Sequence, residues 1–581
     1  MHILNFNINY FIFIYIYIHS TMLASDHTIW EETINRTDAV QPFVSKEILY
    51  IQDQNNGNYA GQIQFDCSSL ANNQRWLNYK EGLLEIPFMI NLKSSTDVTA
   101  GTIVNAFTAG LKNGYYQIID SMQVDLNNQN IVQLQNNLNM LVNYKVLTSF
   151  SQDDLNKLGS VLGIFPDSAD SYTFSAGASA NGDGYANNRN IIKSSSFVAR
   201  NTTNEGFTKR QSSTTAYSSV AALQTDYLPT TGTGTVAEAI YNAEARNYFS
   251  EDAGAASARI YTWVIMATIR LKDICDFFDK VPLMKGANFR FTINYNACQT
   301  TVTSVAAGPT MVTTTHIQLS GHSNPVMLAS SAANNSNNGL VAGAAGGIFT
   351  IVSGVVKTPL TTTPLSAFST CRLYVPAYKL DPVYDLNLIQ SNPVSKIKYY
   401  DYYTYTVSGT GAGASFNSIL TNGIVNPKAI IVVPYVSPGS AAAVNALNLQ
   451  TYQTLFDSAP GTTSPSASIN HFQVLIAGEN VFNIDEQYTF SQFMDEFQHI
   501  NALNGSQDTG LNSGLISDYM WRNGYRFYVC DLSRRLKYED KIPKSVMVSG
   551  TNNTPVPMDY ICFILFEKEV NIKTSTGEIV P

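Results

Sequence analysis

Charge is scarce in this 581-residue chain. Asp, Glu, Lys and Arg make up 14% of it, against roughly 25% in an ordinary soluble domain. The net charge of -9 argues against a general nucleic-acid binder, which needs clustered Lys and Arg to neutralise phosphates. Disorder is excluded from the other side, because 44% of the residues are hydrophobic and disordered chains pair low hydrophobicity with high charge. Cysteine is sparse as well. Cys67, Cys275, Cys298, Cys371, Cys530 and Cys562 never form a C-x-x-C pair, so zinc and redox frameworks lack support and the six read as reduced core thiols. In a reducing compartment the sequons at Asn35, Asn201, Asn334, Asn504 and Asn552 carry little weight. The apolar run Tyr10 to Ile18 covers nine residues, too few for a membrane span of ~20. No Lys or Arg precedes it, as a signal peptide would require. Met22 opens a stretch of ordinary composition and is the expected start, with an internal arm as the alternative.

Recognisable catalytic patterns are missing too: there is no G-x-S-x-G and no H-E-x-x-H. Gly409-Thr410-Gly411-Ala412-Gly413 follows a Tyr-rich strand and leads into no helix, unlike a dinucleotide loop. His316 and His322 lie in a Thr- and Ser-rich stretch without a neighbouring carboxylate, and are expected as exposed loop residues. Asp485 with Glu486, and Asp495 with Glu496, are adjacent in sequence, whereas glycosidase pairs face one bond from separate elements; both pairs read as solvated faces. No catalysis, cofactor or metal is expected.

What the chain has is period-two alternation. Residues 287–296 (ANFRFTINYN) place Phe289, Phe291, Ile293 and Tyr295 on one face, the pattern of a half-buried antiparallel strand. Further strands are expected at 85–92, 115–126, 259–269, 371–378, 397–407, 429–436, 472–478, 525–531 and 560–566. Asn-Gly pairs at Asn56, Asn113, Asn422 and Asn523 supply turn chemistry. Helices are few: Ser151 can cap a turn ahead of Leu155, Leu158 and Leu162, and Phe490, Phe493 and Phe497 repeat the helical spacing after Thr489. Gly-, Ser- and Asn-rich stretches at 166–258, 330–347 and 409–415 read as long loops on a β scaffold.

A repeat organises the whole. Arg270-Leu271-Lys272 is followed by Asp279-Lys280-Val281-Pro282, and Arg535-Leu536-Lys537 by Asp540-Lys541-Ile542-Pro543. Each copy lies between two aromatic strands. Two linked matches in the same context point to a tandem duplication of a β unit of ~260 residues, with Pro282 and Pro543 at equivalent places. The mixed signs of Arg534, Arg535, Lys537, Glu539, Asp540 and Lys541 suit a salt-bridged turn or a subunit contact, with a weak touch on packaged nucleic acid as the lesser use.

Residues 269–296, 370–380 (TCRLYVPAYKL) and 521–544 (WRNGYRFYVCDLSRRLKYEDKIPK) together resemble the double jelly-roll major capsid proteins of Polinton-like viruses and virophages. The likeness extends more weakly over 44–577. It implies an all-β chain of two tandem eight-stranded jelly rolls, three copies of which form a pseudo-hexagonal capsomer tiling an icosahedral shell around DNA. It also implies assembly inside the infected host cell, location in the virion, and partners that are neighbouring capsomers, penton proteins and minor or cement proteins, with no membrane span. The expected division is an N-terminal arm (1–43), a first roll (44–298) with its long loop at 166–258, a linker (299–315) and a second roll (316–581). A viral fibre or receptor-binding protein, or a secreted carbohydrate-active β protein, is the alternative. The first would show a short shaft repeat and the second a groove of aromatics and carboxylates.

Overall fold

The computed structural model describes residues 43–94, 107–167, 206, 210, 247–253, 259–304, 312–330, 348–355, 370–438, 451–455, 458–463, 467–482, 488–498, 514–533 and 542–580. The calls on residues 1–42, on Asp485 and Glu486, on Arg534 to Lys541 and on most of 168–246 lie outside these.

The strands run in order β1 (Phe43–Gln52), β2 (Gln62–Asp66), β3 (Trp76–Leu77), β4 (Leu83–Ser94), β5 (Phe107–Leu111), β6 (Ile119–Leu126), β7 (Gln129–Val132), β8 (Asn247–Ala253), β9 (Arg259–Arg270), β10 (Phe289–Tyr295), β11 (Ala297–Ser304), β12 (Val312–Ser320), β13 (Val326–Ser330), β14 (Ile348–Val355) and β15 (Arg372–Leu380). After the helix Pro382–Ser391 come β16 (Val394–Thr410), β17 (Ser415–Ile424), β18 (Pro427–Val436), β19 (Ile469–Ile476), β20 (Glu479–Asn480), β21 (Tyr528–Asp531), β22 (Lys544–Asn552), β23 (Met558–Lys573) and β24 (Ile579–Val580).

Strand pairing resolves these into two units of one topology. In the first, β1-β15-β4-β9 form one sheet and β2-β10-β6-β7 the facing one; in the second, β16-β23-β18-β21 face β17-β22-β19-β20. Numbered along the chain within each unit, both read 1-8-3-6 over 2-7-4-5, which is the jelly roll. All these pairings are antiparallel. The alternation in β10 is matched by burial, with Phe289, Phe291, Ile293 and Tyr295 inside and Arg290 exposed.

The division of the chain differs from the expected one. Residues 299–315 are expected as a linker, yet β11 and β12 pair with each other, and β11 with β14, inside the first roll's sheet. The eighth strand of that roll is β15, and the crossover to the second roll is the helix Pro382–Ser391. The insertion β11 to β14 separates the seventh strand from the eighth, so the second roll begins only at Val394, and the expected boundary lies where an uninterrupted roll would end. β14 then continues the edge of β4 where β15 leaves it, with β15 paired at Leu83 to Glu85 and β14 at Phe88 to Ser94.

Local chemistry explains the smaller features. Ser151 caps the helix Gln152–Leu162 in a reciprocal capping box with Asp154, and Gly163 ends it in the left-handed region. Asn56-Gly57 forms a turn with both residues at positive φ. Asn422-Gly423 does not make a turn: it lies inside β17, where the register against β22 shifts, so it serves a bulge.

Candidate functional site: the seam and the exposed edges

The two rolls are not beads on a string. In β18, Ala429, Ile431, Val433 and Tyr435 join the core cluster of the first roll, while Ile430, Val432 and Val436 join the interior of the second. In β23 the division repeats, with Ile561, Phe563 and Leu565 toward the first roll and Tyr560, Cys562, Ile564 and Phe566 toward the second. A sheet buried on both faces needs apolar residues at every position. The sequences AIIVVPYV and YICFILF supply them.

Across the seam the first roll presents the helices Leu138–Ser149 and Asp276–Lys280. Ten of the twelve residues of the former are buried, the mark of a helix enclosed on all sides. Tyr144 packs on Phe527 with ring centroids 4.5 Å apart, and Phe277 meets Tyr399 edge-on at 5.1 Å.

Polar contacts fix the register. Tyr399 donates to the Ile131 carbonyl at 2.7 Å, Tyr402 to that of Gln135 at 3.0 Å, and Tyr525 to that of Asp167 at 2.6 Å. Asn143 donates to Gly461 at 2.8 Å, and the fully buried Lys112 reaches the carbonyls of Thr454 and Ala459. Lys568 spans Asp401 at 2.8 Å and the Ile131 carbonyl at 2.9 Å. Burial pushes the Asp401 carboxyl above the usual carboxylate range despite the Lys568 ammonium. Within the first roll, Arg210 donates to the Leu111 and Phe165 carbonyls and pairs with Asp167 at 2.8 Å, both side chains buried, and so holds the residue whose carbonyl Tyr525 reaches.

Away from the seam, apolar side chains stand exposed at both ends of the extended first sheet. β1 is one edge, with Val44, Ile48 and Tyr50 outward, and β12 is the other, with Ile317 and Leu319 outward. On the linking helix, Val383 and Leu386 are exposed while Asp385 ties the helix down by accepting from Trp76 Nε1 at 2.8 Å and Lys285 Nζ at 2.9 Å. A ladder of alternating charge, Lys396–Glu569, Lys398–Glu567 and Lys428–Glu567, runs over β16, β23 and β18.

The repeat residues are placed as follows. Arg270 ends β9 and grips Asp273 through two bonds of 2.6 and 3.0 Å. Leu271 is fully buried and donates its N–H to the Gly82 carbonyl, whereas the Lys272 carbonyl accepts from Lys145 at 3.5 Å. Asp279 lies 3.3 Å from Lys80 and 3.1 Å from Lys280. Pro282 and Pro543 are both exposed and both fall between the sixth and seventh strands of their rolls. Arg535, Leu536, Lys537, Asp540 and Lys541 lie outside the described residues.

His322 is exposed in the turn after β12, as expected, and its Nδ1 lies 3.0 Å from Asp120, a partner 202 residues away in sequence. Two residues differ from their expected settings. His316 sits in β12 rather than in a loop, between Thr300 and Gln318. Asp495 is exposed as expected, but Glu496 is buried and accepts the Asp531 N–H at 2.7 Å. All six cysteines are free and buried. Among the described residues there is no cluster of three or more His, Cys, Asp or Glu suited to a metal ion, and no helix long and apolar enough to cross a membrane.

Two rolls of one strand order fused through a common core define a double jelly-roll protein. No protein-family model and no curated protein matches the sequence. Among solved structures, the chain is similar to one from the Sputnik virophage, with 12% identity, a TM-score of 0.51, and coverage of 93% of this chain and 89% of that one. The mavirus major capsid protein matches with 10% identity, a TM-score of 0.45, and coverage of 97% and 95%. The Faustovirus major capsid protein follows with 10% identity, a TM-score of 0.38, and 94% of each chain covered. The shared property is the fold.

Proposed function

We propose that the chain is a major capsid protein whose homotrimers are pseudo-hexagonal capsomers that tile an icosahedral virion shell around DNA. The observation that carries this reading is the seam. One apolar core shared by both rolls makes each chain a two-block unit of fixed geometry, and three such units around a threefold axis give six similar blocks. The exposed aliphatic rows on β1 and β12 suit contacts within the trimer, since closed symmetry covers sheet edges that would otherwise pair without limit. The charge ladder and the neutral, hydroxyl-rich surface suit weaker, wetter contacts between tiles. Neighbouring capsomers, penton proteins and cement proteins are the partners on this reading, assembly takes place in the infected host cell, and the role is structural rather than catalytic.

Light scattering of the purified protein over a concentration series should give a mass near three chains. A stable monomer at micromolar concentration, or a dimer held through one roll alone, would overturn the capsomer. A hydrolase activity abolished by a single Asp or Glu substitution would overturn the structural role. The tandem duplication belongs to the same proposal, and superposing the two rolls with Pro282 on Pro543 in an experimental structure tests it.

A further inference from the structure

In an Asn-Gly pair the backbone nitrogen of the glycine can attack the asparagine side chain with little hindrance, because no Cβ stands beside it. Four such pairs lie among the described residues, and the fold treats them differently. Asn113 is 1% exposed, its Nδ2 donates to Tyr116 and to Asn143, and the Gly114 N–H is taken by the Gly163 carbonyl at 2.8 Å. Asn523 donates through Nδ2 to the Tyr519 carbonyl at 2.9 Å, and the Gly524 N–H is tied to the Met520 carbonyl at the helix end. Asn56 sits in a turn closed by the Asn58 N–H on the Asn55 carbonyl, with positive φ at both Asn56 and Gly57. In each, the nitrogen, the side-chain amide or the backbone rotation that attack requires is held by the structure.

Asn422-Gly423 is the exception. Both residues are exposed, on a strand at the edge of its sheet. They lie in the bulge between the Thr421–Val546 and Ile424–Lys544 pairs, where two residues face the single Ser545 and neither has a partner in the ladder. The Gly423 N–H reaches the Thr421 hydroxyl at 3.4 Å, long against the usual ~2.7–3.2 Å. A Cβ at Gly423 would meet nothing within 4 Å, so the nitrogen is open to approach.

We propose that Asn422 is a modification site, converted in the folded protein by spontaneous deamidation. The Gly423 nitrogen attacks Asn422 Cγ, the new N–Cγ bond closes a succinimide ring, and the Cγ–Nδ2 bond breaks as ammonia leaves with the proton of the attacking nitrogen. Water then opens the ring at either carbonyl, giving aspartate or isoaspartate. Nothing is oxidised or reduced, and water is the co-reactant. Isoaspartate lengthens the main chain, which would break register in a paired stretch, but the bulge already carries surplus backbone. Each product brings a carboxylate to a sheet whose outward residues Asn417, Ile419, Gln473, Leu475, Met547 and Ser549 are uncharged. Time thereby changes the charge of a neutral face. The conversion is a property of the folded chain and does not depend on the capsid reading.

Peptide mapping by mass spectrometry, on the full chain aged in neutral buffer, reads each site separately, including the further pairs at Asn181, Asn338 and Asn504 outside the described residues. Asn422 should convert at least about tenfold faster than Asn113 and Asn523, which need local opening first. In urea-unfolded protein the three should convert at similar rates. Gly423→Ala, for which the bulge has room, should slow conversion at Asn422 by at least about tenfold by hindering the attacking nitrogen. Should Gly423→Ala fail to fold, charge-resolved chromatography of aged wild type decides: an acidic species should co-elute with fresh Asn422→Asp and be missing from aged Asn422→Ser. Asn422 intact in folded protein under conditions that convert it in urea would overturn the site. So would equal rates at Asn113 and Asn523 in the folded chain, or an unchanged rate in folded Gly423→Ala. A mass other than three chains with Asn422 converting as expected would count against the capsomer alone.

Discussion

Lys568 and Asp401, on the neighbouring strands β23 and β16 of the second roll, pair at the seam with very different exposure, the carboxylate at 1% and the ammonium at 25%. Removing one member of a buried pair strands the other, at a typical cost of about 3–5 kcal/mol. Lys568→Met should therefore destabilise the chain by about 3 kcal/mol in urea unfolding. Burial already holds the Asp401 carboxyl above its ordinary range, and a protonated Asp401 needs no counter-ion. The loss should accordingly be larger at pH 8 than at pH 5, and an equal loss at both would show that the pair is not the source. His322 runs the other way. The hydrogen bond to Asp120 raises its pKa above 6.5, against the effect of burial, so the folded state binds the proton more tightly than the unfolded one. That contribution is complete below about pH 6.5 and is lost as pH rises through the folded value. In His322→Gln the slope of stability against pH across this window should flatten. Neither partner was legible beforehand: Asp120 is far from His322 in sequence, and only folding of the insertion brings β6 to the turn after β12.

The elements themselves were readable where one face is wet. β10 alternates because Arg290 and its neighbours look outward, and period two is then the only pattern that satisfies both faces. β18 and β23 run beyond the expected segments, β23 chiefly through the half-exposed, charged stretch 567–573 that carries no unbroken apolar run. The seam was nevertheless written in AIIVVPYV and YICFILF, whose unbroken apolar character is what a doubly covered sheet demands. The helix Gln152–Leu162 was legible from its cap. Ser151 accepts from the Asp154 N–H at 3.1 Å while the Asp154 carboxylate takes the Ser151 N–H at 2.9 Å, so Ser151→Ala should cost about 1 kcal/mol. Faster amide exchange confined to 152–156 would locate the loss at this end of the helix. The cap also holds the Asp154 carboxyl below its usual range, first through the Ser151 backbone and then its side chain, so its contribution should fade as pH falls through that lowered value.

At the scale of the whole molecule the two rolls begin at residues 43 and 394, not one ~260-residue period apart, since nothing in the sequence marks β11 to β14 as an insertion rather than the opening of a second unit. The exposed rows at the two ends of the first sheet make the assembly question experimental. Ile48→Glu and Leu319→Glu replace exposed side chains that pack on nothing in the monomer core, so each should leave unfolding nearly unchanged, within about 0.5 kcal/mol. Each should shift the light-scattering mass toward one chain. A trimer unaffected by either substitution would move the interface elsewhere.

β23 lies between β16 and β18, and β15 lies between β1 and β4. In each roll the strand that closes the sheet is therefore the last of its eight to leave the ribosome, and until it arrives the partners on either side hold unpaired edges. For the second roll the delay is doubly exposing, because the same late strand also covers the seam surface of the first. Such long-range closure is slow and leaves apolar surface open to other chains meanwhile. High-level synthesis of this protein should therefore be limited by the span between the appearance of residue 394 and that of residue 573, and slowing initiation rather than elongation should raise the soluble yield.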